Sequence, residues 1–328
     1  MARLAAPWPG AVAVSGGADS LALMHLLRRW AKAARRTPPV VLTVDHGLRE
    51  GSAADARKVL RWAKAEGLKA HVLRWTGAKP EADLEAEARA ARYRLMGEWC
   101  ARRGIEALYV AHTRDDQAET FLLRLARGSG LDGLAAMRAM APCPGKAEVR
   151  VVRPLLDFAR PKVREGLEDW IEDPMNADPR FGRVRIREAM ALLGIPAARI
   201  AGAVAHLGRA REALDEVTAA VLRRACARGE GGAVLVDAPA LAAAPREIGL
   251  RALAQLLRAV SGQPYRPRFE RLERLFDLLA QGRLGGGCTL HGCKIASAPA
   301  RQARFGAGTI TISPETGRKP AKRGAIGS

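Results

Sequence analysis

Residues 11–27, AVAVSGGADSLALMHLL, constrain the fold of this chain more than any other stretch. The first four residues are apolar and predict a short buried strand, and the apolar spacing after SGGADS predicts a helix. Gly16 and Gly17 lack the side chains that would keep an anion away from the backbone, and a helix start carries N–H groups without intrahelical partners. The stretch therefore predicts an oxyanion-binding site between a strand and a helix.

Polar side chains flank this loop. Ser15 and Ser20 place hydroxyl donors at its two ends, and Asp19 places a carboxylate beside the anion, where it suits a bridging magnesium ion. The simpler interpretation is a glycine turn in which Asp19 only caps the helix. Because the strand, the paired glycines, the serines and the carboxylate occur in the order that a phosphate loop requires, we predict Mg²⁺ binding at Asp19.

Apolar runs and helical patterns alternate after this loop. Strands are predicted at 39–47, 69–75 and 105–111, and helices at 52–66, 83–102 and in DDQAETFLLRLAR. Such alternation predicts an α/β fold with a doubly wound parallel sheet, in which ligands collect beyond the carboxyl ends of the strands. Because Ser15, His46 and His112 each follow a predicted strand, we expect them to meet around one pocket.

Asp116 and Glu119 lie on the helix that follows the last of these strands. They are three positions apart and share one helix face, and His112 stands just before them. Near an anion site such a pair can bind a metal ion, receive a cationic substrate or deprotonate an amine. The alternative is that they are first-turn acids that favour the helix dipole. Because the two acids occur together with the phosphate loop, we favour a chemical role for them.

The charge balance indicates a large anionic partner. The chain has 54 basic and 34 acidic side chains in 328 residues, a formal charge of +20. An excess of this size favours nucleic acid over solvated basic faces. No apolar stretch approaches the roughly 18 residues of a membrane span, and the first residues lack a signal-peptide core. Five cysteines without a CxxC pair fit a reducing compartment, so we expect a cytoplasmic protein that does not bind membranes.

Two groups of arginines are candidates for phosphate binding. Arg89 and Arg92 share one face of the 83–102 helix, where two guanidinium groups can hold phosphate oxygens. The alternative is an exposed pair bonded to acids such as Glu85. The 173–187 stretch mixes turn-forming residues with arginines and predicts a loop that clamps an RNA backbone. Its candidate contacts are Arg183, Arg185 and Arg187.

The length fits two domains. We place the first at 1–195, with a connection indicated by the Pro, Gly and charged residues of 142–154. A helix predicted over 199–228 leads into a smaller, mostly helical domain at 196–313. This domain is predicted to contain helices at 245–260 and 267–281 and short strands in AVLVD, TLHGCKIAS and GTITI. The basic residues of 314–328 predict a disordered tail.

SGGADS resembles the PP-loop of the ATP pyrophosphatases, which adenylate a substrate oxygen with ATP and release pyrophosphate. Together with VDHGLR, EAEARAARYRL, AHTRDDQAETFLLRLARGSGLDGL, VRPLL and WIEDPMNAD, in this order, it is similar to the tRNA(Ile)-lysidine synthase family. The similarity is strong over residues 11–190 and weaker to residue 296. Arg89 and Arg92 match the family's ARxxRY motif, whereas Val184 replaces the asparagine of its Arg-Asn-Arg-Ile-Arg motif.

The resemblance implies a reaction and its partners. The wobble cytidine of tRNA(Ile) with a CAU anticodon is adenylated on its C2 oxygen, and the ε-amine of free L-lysine then displaces AMP. The implied cofactors are ATP and Mg²⁺. A tRNA thiolase on the same scaffold is an alternative that the unpaired cysteines disfavour. A nucleotide-sensing RNA-binding module is a second alternative, which the acidic pair disfavours.

The implied roles fall into three groups. The candidate catalytic residues are Asp19, His112, Asp116 and Glu119, of which Asp116 and Glu119 receive the lysine. The candidate ATP-binding residues are Ser15, Gly16, Gly17, Ala18, Asp19, Ser20 and His46. The candidate contacts to phosphates and tRNA are Arg89, Arg92, Arg183, Arg185 and Arg187.

Overall fold

The computed structural model describes residues 4–77, 79–80, 84–172, 182–263 and 265–315. The chain divides into two compact units, Met1–Gly208 and Arg209–Ser328. The domain boundaries predicted after residues 195 and 313 stay predictions. Most of the predicted tail, from residue 316 onward, lies outside the described residues, as do 173–181 of the predicted arginine loop.

A six-stranded sheet forms the centre of the first unit. Its strands are β1 (Ala11–Ala13), β2 (Val40–Asp45), β3 (Ala70–Arg74), β4 (Ala107–Tyr109), β5 (Met140–Cys143) and β6 (Lys146–Val152). They are ordered β3-β2-β1-β4-β6-β5, and all neighbours are parallel except the pair β5 and β6. The doubly wound sheet expected from the sequence is confirmed. The order in which successive strands are added to the sheet reverses between β1 and β4, which is where such sheets bind their ligands.

Helices surround this sheet on both faces. They are α1 (Ala18–Ala33), α2 (Ser52–Ala65), α3 (Leu84–Ala101), α4 (Arg114–Leu125), α5 (Leu131–Leu134), α6 (Arg160–Arg164), α7 (Gly182–Leu192) and α8 (Ala197–Ala225), which runs on into the second unit. Val12 packs in one buried cluster with Leu21 and Met24 of α1, and its neighbour Ala11 packs in another with Met96 of α3. Because both faces of β1 are buried, its sequence is a continuous apolar run.

The sequence predicted a connection where the structure has a hairpin. Residues 142–154 contribute to β5 and β6, with Gly145 in the turn at φ +75°. Pro142 misled the prediction, but it lies in an edge strand, where a residue without an N–H is tolerated, next to an irregularity in the pairing. The valines of β6, by contrast, are buried.

Three predicted boundaries were also wrong. After VRPLL the sequence predicts a helix from about 160 to 172, but the helix in the structure ends at Arg164, and Gly166 follows with φ +78°. The described part of the arginine stretch, from Gly182, is the helix α7 and not a loop. The long helix ends at Ala225 and not at 228, because Cys226–Arg228 pair with a neighbouring strand. Hydrogen bonding of these residues to the strand Val234–Asp237 overrides their local preference for a helix.

The second unit contains an antiparallel sheet with helices against it. Its strands are β7 (Cys226–Arg228), β8 (Val234–Asp237), β9 (Cys288–Leu290), β10 (Cys293–Ser297) and β11 (Thr309–Pro314), in the order β7-β8-β11-β10-β9. The helices that follow α8 are α9 (Ala238–Ala242), α10 (Arg246–Ser261) and α11 (Phe269–Ala280). Leu253 and Leu257 of α10 share a buried cluster with Leu275 of α11 and with Ile295 and Ile312 of the sheet.

Within the described ranges, no single helix has both the length and the apolar character of a membrane span, although the bent pair α7 and α8 reaches these limits when the two are combined.

Candidate active site

The loop between β1 and α1 is a compact turn held by one serine. The buried Ser20 hydroxyl donates to the Gly17 carbonyl oxygen at 2.8 Å and accepts from the Ser15 backbone N–H at 3.1 Å. Because the Ser20 proton is directed at Gly17, the exposed Ser15 hydroxyl, 3.3 Å from Ser20 Oγ, is the one left for a ligand. The Ala18 side chain is buried, so Ala18 can contact a ligand only through its backbone N–H, which lies at the start of α1.

The two glycines of the loop have different surroundings. Gly16 has φ +92°, and a Cβ there would lie 2.5 Å from Ile171 Cδ1. The Ile171 N–H also donates to the Gly16 carbonyl oxygen at 2.9 Å. A Cβ at Gly17 would meet, among the described atoms, only Ser15 Oγ at 3.7 Å. Gly16 is therefore required by the loop itself, whereas Gly17 borders open space through which a ligand can approach the backbone.

Two arginines hold the Asp19 carboxylate. Arg164 Nε lies 2.7 Å from Oδ1 and Arg164 Nη2 lies 3.2 Å from Oδ2, while Arg160 Nε lies 3.5 Å from Oδ2. Magnesium at nucleotide sites is bound by one or two carboxylates together with phosphates and water. Asp19 fits this donor set. Since the described residues contain no cluster of three His, Cys, Asp or Glu side chains suited to a metal, phosphate oxygens would have to complete the site.

Asp116 uses its two carboxylate oxygens differently. Oδ2 accepts from the Thr113 N–H and from the Thr113 hydroxyl, each at 2.8 Å, and so caps the start of α4. Oδ1 accepts from Arg160 Nη2 at 3.1 Å and from Arg183 Nη1 at 3.2 Å. Although burial opposes it, the Arg160 charge and the Thr113 hydrogen bonds lower the pKa of Asp116. The sequence offered a role at the helix start as the alternative to a chemical role. That role is present, but it uses only one of the two carboxylate oxygens of Asp116.

Glu119 is the more deeply buried of the pair, with 2% of its side chain exposed. Its Oε1 lies 3.1 Å from Arg160 Nη2 and 3.0 Å from Arg187 Nε, and its Oε2 lies 3.3 Å from Arg183 Nη1. A buried carboxylate is tolerated only when it is paired and hydrogen-bonded. Asp116 and Glu119 therefore form a site that binds cationic donors, and guanidinium groups occupy this site in the structure.

Two uncharged histidines lie at the carboxyl edge of the sheet. His46 follows β2 and His112 follows β4, and the Nδ1 atom of each is buried without a hydrogen-bond partner among the described residues. Burial, reinforced by the Arg92 charge, lowers the pKa of His46 to about 4. Burial and the Arg89 charge lower the pKa of His112 to about 3. Both imidazoles are therefore neutral near pH 7 and can donate or accept a hydrogen bond.

The α3 arginines lie against one aromatic ring. The guanidinium carbons of Arg89 and Arg92 are 5.2 and 5.9 Å from the centroid of the Tyr93 ring. The Glu85 charge acts to raise the pKa of Arg92, as the alternative expects, but more weakly than burial and the Arg89 charge act to lower it. Burial and the Arg89 charge lower the pKa of Arg92. Crowded positive charge of this kind favours an anion as ligand.

The α7 arginines divide between two surroundings. Arg183 and Arg187 are one helical turn apart and both contact the acidic pair, whereas Arg185 between them is exposed. The buried neighbour on this helix is Val184, at the position where the family has asparagine. Two of the three arginines that were expected to clamp an RNA backbone, Arg183 and Arg187, therefore form ion pairs with the acidic pair.

Arg160 and Arg164 were missed by sequence reasoning. They follow β6, and because 142–154 was assigned to a connection, no strand end pointed to the residues beyond it. The available signal was the position of two arginines, four apart, just after a strand that contributes Val149, Val151 and Val152 to the core. A fifth parallel strand would have placed them at the same edge as His112.

A basic recess lies on the second unit, considered by itself. It has a volume of about 500 Å³ and is lined by exposed Arg228, Arg301 and Arg304 together with Glu230 and Gln302. Gln302 Nε2 donates to Glu230 Oε2 at 3.3 Å, so the one acid of the recess is already engaged. Among the described residues, the three arginines form no ion pair. The recess therefore suits an anionic ligand.

Comparisons with known proteins show which family the chain is similar to. A family model described as a PP-loop domain matches residues 9–192. The tRNA(Ile)-lysidine synthase of Ruegeria pomeroyi is 42% identical over 86% of the chain and 68% of that protein. The enzyme of the same name from Methylobacterium nodulans is 40% identical over 94% of the chain and 91% of that protein. That of Rhodopseudomonas palustris is 41% identical over 85% of the chain and 83% of its own length.

Among solved structures, the U34-tRNA thiolase NcsA from Methanococcus maripaludis aligns with 63% of this chain and 71% of its own, at 16% identity and a TM-score of 0.47. The domain match covers more than half of the chain, and the named relatives are aligned over at least two thirds of their length. The chain therefore belongs to the tRNA(Ile)-lysidine synthase family of PP-loop proteins.

Proposed function

We propose that this chain is an ATP-dependent ligase that attaches free L-lysine to C2 of the wobble cytidine of tRNA(Ile) with a CAU anticodon, forming lysidine. The relatives' names support tRNA modification, and the PP-loop domain supports the use of ATP. One observation carries the finer proposal. The loop carboxylate Asp19 and the acidic pair Asp116 and Glu119 all contact Arg160, so a nucleotide site and a cation site adjoin each other.

The first half-reaction uses the loop. The C2 oxygen of the cytidine attacks the α-phosphorus of ATP, the bond to the β-phosphate bridging oxygen breaks, and pyrophosphate leaves. The N–H groups at the start of α1, the open side of Gly17 and the Ser15 hydroxyl hold the pyrophosphate. Asp19 would hold a magnesium ion, which when bound lowers the charge repulsion at the phosphates.

The second half-reaction uses the acidic pair. The lysine ammonium binds between Asp116 and Glu119. To do so it must replace the contacts that the Arg183 guanidinium makes with both carboxylates in the structure. After loss of a proton to a carboxylate, the ε-amine attacks C2, the C2–oxygen bond breaks, and AMP leaves with the bonding electrons. Binding the amine beside the adenylated carbon replaces a bimolecular encounter with an oriented one.

The histidines and the α3 arginines supply recognition. Neutral His46 and His112 are suited to hydrogen bonds with base or ribose, and Arg89 and Arg92 are suited to phosphates. The formal charge of +20 and the basic recess of the second unit support a tRNA as the larger substrate. We place the reaction in the cytoplasm, where its tRNA substrate is found.

A tRNA thiolase is the nearest alternative, and the thiols argue against it. Burial raises the pKa of Cys100 to about 12 and the pKa values of Cys143, Cys226 and Cys293 to about 11. Sulfur delivery needs a reactive thiolate, which such surroundings suppress. A nucleotide-sensing RNA-binding module is the other alternative. A binder of that kind has no need for two buried carboxylates close to a triphosphate.

One assay separates the three functions. Purified protein is incubated with labelled lysine, ATP and an unmodified tRNA(Ile) transcript carrying CAU, with the same transcript carrying GAU as the control. Lysine in the CAU transcript and AMP in equal amount support the synthase. A product that requires a sulfur donor identifies a thiolase, and ATP binding without any product identifies a binder; either result overturns the proposal.

A further inference from the structure

Arg160 is fixed in place by its own backbone. It begins α6, and its N–H donates to Asp115 Oδ2 at 2.7 Å. The Arg114 N–H at the start of α4 donates to the Phe158 carbonyl oxygen at 2.9 Å. These two hydrogen bonds, which run in opposite directions, join the start of α6 to the start of α4. The Arg160 guanidinium therefore starts from a fixed point beside the acidic pair.

The Arg160 side chain contacts carboxylates from two elements. Nη2 lies 3.1 Å from Asp116 Oδ1 and 3.1 Å from Glu119 Oε1, both on α4. Nε lies 3.5 Å from Asp19 Oδ2 on α1. Only 18% of the side chain is exposed. A planar guanidinium presents its N–H groups in fixed directions, so contacts to several carboxylates define where each one stands.

Arg183 and Arg187 contact the same acids from a different element. They belong to α7, whose Met190 packs against the apolar cluster that contains Ala118 of α4. Arg183 Nη1 and Arg187 Nε lie 3.3 and 3.0 Å from Glu119. Arg160 adds to its side-chain contacts a backbone N–H that donates to Asp115, and this hydrogen bond ties it to the helix that carries the pair.

We infer that Arg160 is a positioning residue that holds Asp116 and Glu119 in the orientation that receives the lysine ammonium and ties this orientation to Asp19 of the loop. The inference rests on the proposed function, whose cation site it deepens. An incoming ammonium exchanges with the α7 contacts while Arg160 stays. Arg183 also contacts both carboxylates, but its contacts are among those that the ammonium replaces. Without Arg160 the two carboxylates would then share no guanidinium and would repel each other.

The test compares R160K and R160Q with R246K and R246Q. Arg246 also contacts two carboxylates, those of Glu273 and Asp277, but it lies in the second unit. Kinetics are measured with separate titrations of lysine, ATP and tRNA, together with the thermal midpoint of each variant. R160K tests geometry, because lysine keeps the charge but offers no planar fork.

For R160K and R160Q we expect the KM for lysine to rise about tenfold or more while the KM for ATP changes less than about threefold, because the lost fork acts on the acidic pair. Adding guanidinium ion to R160A is expected to restore part of the lysine affinity, with ammonium less effective. The Arg246 variants keep wild-type values. A purely structural role would lower the thermal midpoint and kcat without this selective change.

Two results overturn the inference while leaving the proposed function intact. One is an unchanged KM for lysine in R160K and R160Q; the other is a lower KM, which would mean that Arg160 competes with lysine for the carboxylates. If the wild-type protein incorporates no lysine, the proposed function fails and this inference fails with it.

Discussion

Arg164 binds the Asp19 carboxylate through two nitrogens, with Nε 2.7 Å from Oδ1 and Nη2 3.2 Å from Oδ2. The pair joins the first turn of α1 to the last residue of α6. The carboxylate that we assign to magnesium is therefore already oriented by a guanidinium. This relationship gives the first prediction.

Asp19→Asn is expected to reduce AMP formation by about 100-fold or more, because the amide removes the charge that a magnesium ligand needs. Stability should change little, since a partly exposed ion pair contributes about 1 kcal/mol or less. Asp277→Asn is the matched control, because Arg246 contacts both oxygens of Asp277 in the other unit. Full turnover by the Asp19→Asn protein would refute the metal role.

The two loop glycines should respond differently to alanine. Gly16→Ala introduces a Cβ 2.5 Å from Ile171 Cδ1 at φ +92°, so we expect a lower melting temperature and loss of activity. Gly17→Ala meets only Ser15 Oγ at 3.7 Å among the described atoms and should fold normally, with a raised KM for ATP. Calorimetry and ATP titration measure the two effects. Equal destabilisation by both substitutions would contradict the distinct surroundings.

Stability should fall as the solution is acidified below pH 6.5. In the unfolded chain an imidazole takes up a proton near that pH, whereas folded His46 and His112, with pKa values of about 4 and about 3, do not. Since the unfolded state binds more protons in this window, the free energy of unfolding decreases with falling pH, by up to about 1.4 kcal/mol per unit for each histidine. Denaturant unfolding at pH 7, 6 and 5 measures the slope.

His112→Gln should make that slope shallower, because one proton uptake is removed. His46→Gln should have the same effect, because the pKa of folded His46 is also lowered, to about 4. A His112→Gln protein with an unaltered slope would show that His112 titrates normally in the folded state.

The basic recess of the second unit should contribute to the salt dependence of tRNA binding. Arg301→Gln removes one of its three arginines and is expected to lower the slope of log affinity against log salt by about 0.7 to 0.9. Arg246→Gln removes the same charge from an ion pair outside the recess and should change the slope less. Filter binding over a salt series measures both slopes, and identical slopes for the two variants would exclude a phosphate contact at Arg301.

Much of the fold could be predicted from the pattern of apolar runs. β1, β2 and β4 are short segments with buried apolar residues, β3 is a partly exposed strand, and each of the four lies inside its predicted range. The hairpin of β5 and β6 could not be predicted in the same way. Its Pro and Gly residues are typical of loops, and its strand character depends on pairing with β4, which is distant in the sequence.

The positions of three candidate residues could be predicted from the strands that they follow. Ser15, His46 and His112 come after β1, β2 and β4, which are parallel neighbours, so all three lie at one edge of the sheet. The arginines around the acidic pair were not predicted as partners of Asp116 and Glu119. Ion pairs between residues of different elements leave no periodic trace in a sequence, and only the fold reveals which charges meet. The roles assigned to these residues stay predictions.

Asp116 divides its carboxylate between two tasks, since one oxygen caps α4 and the other faces the site. A carboxylate bound in this way cannot rotate about its side-chain bonds, so the conformational freedom was given up when the chain folded. A cation that arrives at Oδ1 then binds without the entropic cost of ordering its partner. The helix start thus prepares half of the cation site before any substrate is present.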